Sequence, residues 1–582
     1  VFNRPIFIFL LCALAAVPAL AQQPAAGFKP VTQEMLENPA PQDWLMFSRT
    51  YDAQRFSPLN QINTRNVEQL QLAWSRGIGS AGEVQSIPLV YNGVMYVLGP
   101  DGVILALDAA NGDLIWKYER TMDEQLKRRA RARSKNIAIY ENMIISTAPD
   151  NYIIAVDAQT GKLIWETPTD GGQQSAGPIV MNGIVVSGRA CVGRKRDSCF
   201  ISGHDARTGK ELWKFYNIPA MGQPGSESWG NSPKHDENTA STWGLSGSYD
   251  PERNLTIWGI ANPVPNTRGD RHGGDATGTA FSAPADLYSN STVALVPETG
   301  ELKWYFQHLP GDDWDMDYTN ERVLIRTRIN PDPKQVKWIN EAARGQTRDV
   351  TVMIGEGGGL FVNDRGTGEF LYATPYPFDT EHFVLSDIDT NTGKTYINKN
   401  VVLHQPGEQH LICYWNTVSY WPTAYSPRTN SLYATYIDNC LDMTRSKEGQ
   451  SERRTRGVRP GYDEQKSNGL AKINMETGEI MFFNQSARPS TGGILTTAGG
   501  LVFNGDLYRY FRAFDDKTGK QLWETRLGGP PTVSTITYAV RGKQYVAVIA
   551  GFNFASMSLA GMWKIPDFIR DHFAVYAFAL PD

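Results

Sequence analysis

Seven times this chain repeats one pattern: a strand ending in small or apolar residues, a turn usually centred on Asp, Thr-Gly or Asn-Gly, and a strand closing on an aromatic. Strong copies read ALDAANGDLIW at 106–116, AVDAQTGKLIW at 155–165, GHDARTGKELW at 203–213, ALVPETGELKW at 294–304 and AFDDKTGKQLW at 513–523. Weaker ones are VNDRGTGEFLY at 362–372 and AKINMETGEIMFF at 471–483. Trp116, Trp165 and Trp213 stand 49 and 48 residues apart, the size of one four-stranded propeller blade. Each copy predicts a β-hairpin whose Gly takes the positive φ of a tight turn. A lone blade cannot bury both faces of its sheet, so blades must stack and the series must close. The gaps between Trp213 and Trp304 and between Tyr372 and Phe482 each leave room for one more blade. The predicted fold is therefore all-β: an eight-bladed β-propeller of four-stranded antiparallel blades with tryptophan-docking-type repeats.

One large body accounts for the length. The chain has 582 residues, with 54 Gly, 34 Pro and 11% aromatics, and no helical periodicity or low-complexity linker divides it. A net charge of −5 is small for this length, and the basic run at 127–133 stands apart from aromatic platforms, so it reads as a solvated loop. Nucleic acid is not an expected partner. Residues 1–21 read as an export signal: Arg4, an apolar stretch at 6–17, then Ala19 and Ala21 flanking a cleavage site. That stretch is too short for a stable membrane span, and no other segment is long enough. The remaining domain, 22–582, is expected to work in a periplasm. Beyond the signal lie four cysteines, and proximity favours Cys191–Cys199 and Cys413–Cys440 as disulfides in an oxidising compartment. No CxxCH is present, so no covalent haem is expected.

The densest chemistry is GDDWDMDYTNE at 311–321, where Asp315 and Asp317 are separated by one residue. Two such acids can face one side of a strand or converge on one ion from a turn. Alone, an Asp-x-Asp pair is most often a solvated turn. Here IANPVPN at 260–266 places Asn262, an amide oxygen for a hard cation, upstream in the chain. Trp243 precedes it without closing a repeat. It is either core packing or the floor under a flat cofactor.

Together these segments resemble the quinoprotein alcohol dehydrogenases, which hold pyrroloquinoline quinone (PQQ) and a metal on the axis of an eight-bladed propeller. RFSPLNQIN at 55–63, DLYSNSTVAL at 286–295, WDMDYTNE at 314–321, TTAGGLVFNGD at 496–506 and FAVYAFALP at 573–581 carry the likeness in order. By layout the chain is most similar to the soluble sorbose, sorbosone and polyol dehydrogenases, which share CFISGHDARTGKELW at 199–213 and both cysteine pairs.

The resemblance implies that Asp315 is the catalytic base and a metal ligand, Asn262 another ligand, and Trp243 the plane stacked on PQQ. It places Gln85, Lys135 and Ser175 on the cofactor's acidic edge, with Tyr420 and Trp421 as further contacts. A planar tricarboxylate needs such an aromatic face, cations and hydroxyl or amide donors. The metal would act as a Lewis acid while the base takes the alcohol proton. Asp317 falls where calcium-using relatives carry a small residue and lanthanide-using relatives carry Asp. A trivalent ion gains most from one more carboxylate, so La³⁺ or Ce³⁺ is favoured over Ca²⁺.

The chain departs from the family pattern at several points. Arg129 and Ala130 stand where a vicinal disulfide usually covers PQQ, Val192 where a Glu usually binds metal, and Gly357 where a Lys or Arg usually meets the catalytic Asp. Thr491 lies near the place of a PQQ-edge Trp. RGDRHGGDATG at 268–278 and FNFASMSLAGMW at 552–563 are expected to line an entrance wide enough for polyols, sugars and cyclic secondary alcohols. The charged segment 445–466 reads as a solvated excursion. A c-type cytochrome or another periplasmic acceptor is the expected electron partner, and a homodimer is compatible. Two other readings remain: a non-enzymatic propeller scaffold for outer-membrane protein assembly, and a polymer-alcohol dehydrogenase of the polyvinyl alcohol type.

Overall fold

The repeats become sheets for a local reason. In each turn the Asp carboxylate accepts the backbone N–H groups that follow it: Asp157 Oδ1 takes those of Gln159 and Thr160 at 3.1 and 2.8 Å, plus the Thr160 hydroxyl at 2.8 Å. Asp205, Asp364 and Asp515 repeat the arrangement. Gly161, at φ +69°, then reverses the chain, and a Cβ there would lie 2.6 Å from the Trp116 ring. That turn thus needs glycine twice, for its backbone and for the indole packed on it.

A computed structural model describes residues 27–582 apart from 80–81, 101, 123–124, 126–132, 231 and 447–451. The expected signal at 1–21, the pair Arg129 and Ala130, and most of the basic run at 127–133 lie outside the described residues. Among the described residues, eight sheets of four or more strands follow one another along the chain, antiparallel except where Phe56–Ser57 adds in parallel to Ser490–Thr497. Seven contain the repeats. The eighth is built from both ends: Gln71–Gly77 pairs with Phe573–Ala579, which continues into Lys543–Gly551 and Ile536–Val540.

Neighbouring sheets are joined by the closing aromatics. The indole N–H of Trp74 donates to Ala109 O at 3.2 Å, Trp116 to Ala158 O at 3.0 Å, Trp165 to Ala206 O at 3.2 Å and Trp213 to Pro297 O at 2.7 Å. Trp523 reaches Leu70 O at 2.9 Å, joining the last repeat to the two-ended sheet. The core lies between the sheets. Inner strands such as Val94–Leu98 and Ile184–Gly188 are buried throughout, while outer strands such as Leu163–Pro168 are largely exposed. A strand covered on both faces by neighbours needs apolar residues at every position, not every second one.

The two long gaps hold no additional four-stranded sheet among the described residues, which corrects the expectation drawn from repeat spacing. Between Trp213 and Trp304 the sheet Ser248–Asp250, Leu255–Gly259, Ser291–Leu295, Leu302–Gln307 is interrupted by long loops. Between Tyr372 and Phe482 stand two small sheets, one of Leu385–Ile388 with Thr395–Ile397, the other of Gln409–Cys413, Cys440–Arg445 and Glu452–Gly457. Both expected disulfides are present, with Cα–Cα distances of 4.8 Å for Cys191–Cys199 and 4.4 Å for Cys413–Cys440. No helix among the described residues is long and apolar enough to cross a membrane.

Candidate active site

The acidic loop is held by two of its own aspartates. Asp312 accepts from the backbone N–H of Trp314 and Met316 at 2.6 and 2.8 Å and from the Asn290 amide at 2.9 Å. Asp313 accepts from Arg268 N and Leu403 N at 2.7 and 2.6 Å. Both are fully buried, and burial pushes Asp312 up to about 7. Asp315 follows at φ +63°, a left-handed conformation that costs a non-glycine residue roughly 1–2 kcal/mol. That twist presents its half-exposed carboxylate to a cavity of about 710 Å³ that Asp317 also lines.

Asn262 connects the two acids: its side-chain amide donates to Asp315 Oδ1 at 3.0 Å and its backbone N–H to Asp317 Oδ1 at 3.1 Å. Asp317 Oδ2 takes the Trp243 indole N–H at 2.8 Å. Burial and the charge of Asp315 push Asp317 up to about 7. A third acid escaped the sequence reading. Glu356 also lines the cavity, its backbone N–H donates to Asp317 O at 2.9 Å, and burial together with Asp317 and Asp315 holds it well above the usual carboxylate range. Its signal was its place in GEGGGL, beside a position where a cation was expected.

The positions expected to meet a cofactor gather on the same cavity, with one exception. Lys135 is buried, its ammonium 2.9 Å from Trp243 O and over the rings of Trp243 and Tyr420 at 5.0 and 4.9 Å. Burial lowers it to about 7. The Ser175 hydroxyl also donates to Trp243 O, at 3.1 Å. Gln85 donates to Glu83 at 3.1 Å, yet its own buried amide oxygen has no partner. Tyr420 meets Trp243 edge-on at 5.7 Å and donates to Asn553 at 2.7 Å. Trp421 is the exception. It packs with Ile437, Leu507 and Leu559 in an apolar cluster behind Tyr420 and does not line the cavity.

Two further expectations are corrected. The loop 268–278 does not form the entrance: Arg268 and Arg271 are fully buried and brace the acidic loop, through Gly311 O and Asp312 O at 2.7 Å each. Phe554, Ala555, Ser558 and Met562, by contrast, do line the cavity, from the helix Phe554–Met562. The segment 445–466 is solvated only in part: Thr455, Val458, Pro460 and 463–466 are exposed, but two of its arginines turn inward. Arg445 is buried against Leu403 O, His404 O and Asp270, and Arg454 enters the cavity and pairs with Asp315. Both belong to a strand-paired insert, whose partners hydrophilic composition does not reveal. Two family positions also gain a physical account. Val192 is 51% exposed at the surface, so Glu356 and not that position supplies the third acid. A Cβ on Gly357 would lie 2.8 Å from Met316 Sδ, so any side chain there would have to displace the Met316 thioether.

Clustered buried acids beside a half-buried indole face and a buried lysine define a class: redox enzymes that hold a flat anionic cofactor together with a cation. The chain belongs to the PQQ-dependent quinoprotein alcohol dehydrogenases, since residues 44–375 and 464–546 match the family described as PQQ glucose/ethanol/alcohol dehydrogenase, β-propeller domain. It is 28% identical to quinohemoprotein alcohol dehydrogenase ADH-IIG of Pseudomonas putida, across 99% of this chain and 82% of that protein. Identity to quinoprotein alcohol dehydrogenase PedE of Pseudomonas putida is 30%, across 93% of this chain and 90% of the relative. A solved europium-containing methanol dehydrogenase superposes with a TM-score of 0.80 at 26% identity, covering 94% of this chain and all of that one.

Proposed function

We propose that the protein oxidises primary and secondary alcohols to aldehydes and ketones, with PQQ and a lanthanide ion in the cavity and Ca²⁺ as the alternative ion. The convergence of Asp315, Asp317 and Glu356 beside the Trp243 indole carries this reading. The residues fit such occupants. Asp317 and Glu356 are pushed up by burial and by the neighbouring acids, a setting a cation would relieve. No three acidic, Cys or His side chains among the described residues form a metal site by themselves, so amide oxygens such as that of Asn262 would complete the shell. The partnerless Gln85 amide oxygen can accept from an N–H or O–H donor of a ligand, and the buried Lys135 can donate to an anionic group beside it.

Asp315, Asp317, Asn262 and Glu356 would hold the ion, and Trp243, Lys135, Ser175, Gln85 and Tyr420 the cofactor, which supplies the two-electron acceptor. Asp315 takes the hydroxyl proton of the alcohol onto its carboxylate. Asn262 and the left-handed backbone aim that carboxylate into the cavity. Trp243 offers the flat apolar face, fixed by its indole bond to Asp317. Phe554 and Met562 narrow the mouth and favour alcohols with an apolar flank.

On this reading the eight sheets are the blades of one propeller domain, 22–582, with the pairing of Gln71–Gly77 to Phe573–Ala579 as its closing blade. Two disulfides favour the periplasm, where a c-type cytochrome or another acceptor takes the electrons. The decisive experiment reconstitutes apoprotein with PQQ plus La³⁺ or Ca²⁺ and follows dye reduction over a panel of small, polyol and cyclic alcohols. Turnover that needs both PQQ and an ion is expected; none with either ion would overturn the reading.

A further inference from the structure

The cation beside Asp315 comes from far along the chain. Arg454 lies 139 residues beyond it, on Glu452–Gly457, the outer strand of the three-stranded insert. Its guanidinium pairs with Asp315 Oδ2 while Asn262 holds Oδ1, so each oxygen of the carboxylate has its own donor. The same guanidinium lies 5.1 Å over the Trp415 ring, and the Trp415 indole N–H donates to Asp315 O at 3.0 Å. Backbone and side chain of Asp315 are thus gripped by one Arg–Trp pair.

The insert is docked in two further ways. Strand alternation puts Arg456 on the face of Arg454, and it lies 4.0 Å over the ring of Trp563, which ends the helix lining the cavity mouth. At the root, Cys413 and Cys440 are directly opposite in register and disulfide-bonded. Trp415 stands two residues beyond Cys413. A single crosslink therefore ties together the strand that leads to Trp415 and the hairpin that carries Arg454.

We propose that Arg454, delivered by this disulfide-rooted insert, is the positioning residue for Asp315, orienting its carboxylate and competing with a bound cation for Oδ2. A side chain at Gly357 would have to displace the Met316 thioether, and the insert supplies the charge from further along the chain. The inference rests on the proposed alcohol oxidation only for its kinetic arm.

The test uses full-length wild type, Arg454→Ala, Arg454→Lys and Cys413→Ser/Cys440→Ser. In cofactor-free protein, Tb³⁺ luminescence sensitised by tryptophan measures ion affinity; Arg454→Ala should bind Tb³⁺ about threefold or more tightly, because a competing charge has left Asp315. Unchanged or weaker Tb³⁺ binding would overturn the proposal. In reconstituted enzyme Arg454→Ala should lower kcat by about 30-fold or more with the alcohol KM within about threefold, and Arg454→Lys should recover part of the loss. The cysteine pair should lose kcat in the same sense, and adding Arg454→Ala should cost less than its effect in wild type, since both act through one grip. A kcat within about threefold of wild type in Arg454→Ala, or fully additive losses, also overturns it. If Arg454→Ala melts well below wild type, Arg454→Gln carries the same comparisons. Wild type without PQQ-dependent turnover overturns the alcohol reading instead, and the Tb³⁺ titration then decides Arg454 alone.

Discussion

Asp315 and Asp317 differ by two positions and do different work. Asp315 is half-exposed, twisted into the left-handed region and open to the cavity; Asp317 is buried and fixed by Trp243 and Asn262. Asp315→Ala should lower kcat on the order of 10²–10⁴-fold, the range of a lost general base, without moving the melting temperature appreciably. Steady-state kinetics beside a thermal melt checks both halves. Asp317→Ala removes one carboxylate from the ion, and a trivalent ion loses more by that than a divalent one. Activity supported by La³⁺ should therefore fall further than activity supported by Ca²⁺ when the metal-free variant is titrated with each. An equal fall with both ions would leave Asp317 without a part in metal choice.

At the scale of single elements, the repeats carry stability that depends on pH. His204 stands in the turn-and-strand copy at 203–213, between the Ser202 hydroxyl at 3.1 Å and Gly209 O at 3.2 Å. Burial lowers it from its ordinary 6.5 to about 4, with Gly209 O opposing the shift and Arg189 and Lys214 adding to it. Between those values the unfolded chain binds the proton that the folded chain refuses. The stabilisation is complete above pH 6.5 and is lost as pH falls towards 4, at up to about 1.4 kcal/mol per pH unit. Urea melts between pH 7 and 4.5 should show a shallower decline for His204→Gln than for wild type. The inserts are the other lesson at this scale. Segment 445–466 is rich in charge, yet Arg445 and Arg454 are spent on buried carbonyls and a cavity carboxylate.

Across the whole molecule, stability depends on how the two ends meet. Trp74, from the sole strand of the two-ended sheet that comes from the N-terminal part of the chain, packs its ring on Gly112 and donates to Ala109 O, as the repeat tryptophans do one sheet further on. Trp74→Ala should cost about 3–5 kcal/mol, whereas Leu72→Ala on the 50% exposed position of the same strand should stay within about 0.5 kcal/mol. Calorimetry should record the first loss as one shifted cooperative transition. A separate low-temperature transition would mean that the two-ended sheet melts by itself.

The sequence alone determined what is periodic and what is local. Turn chemistry, repeat length and the Asp-x-Asp pair are legible because each depends on residues a few positions apart or on a pattern recurring along the chain. The disulfides are legible because only four cysteines lie beyond the expected signal, and Asn262 and Trp243 through the family resemblance. Only the tertiary structure decided that the gaps hold loops and small sheets, that Trp421 packs behind the cavity, and that Glu356 and Arg454 enter it. Those outcomes depend on which surfaces meet. A Cβ at Gly357 would meet the Met316 side chain, and a strand 139 residues away brings the arginine back to the same carboxylate. Contacts between segments so distant leave no spacing in the sequence to read.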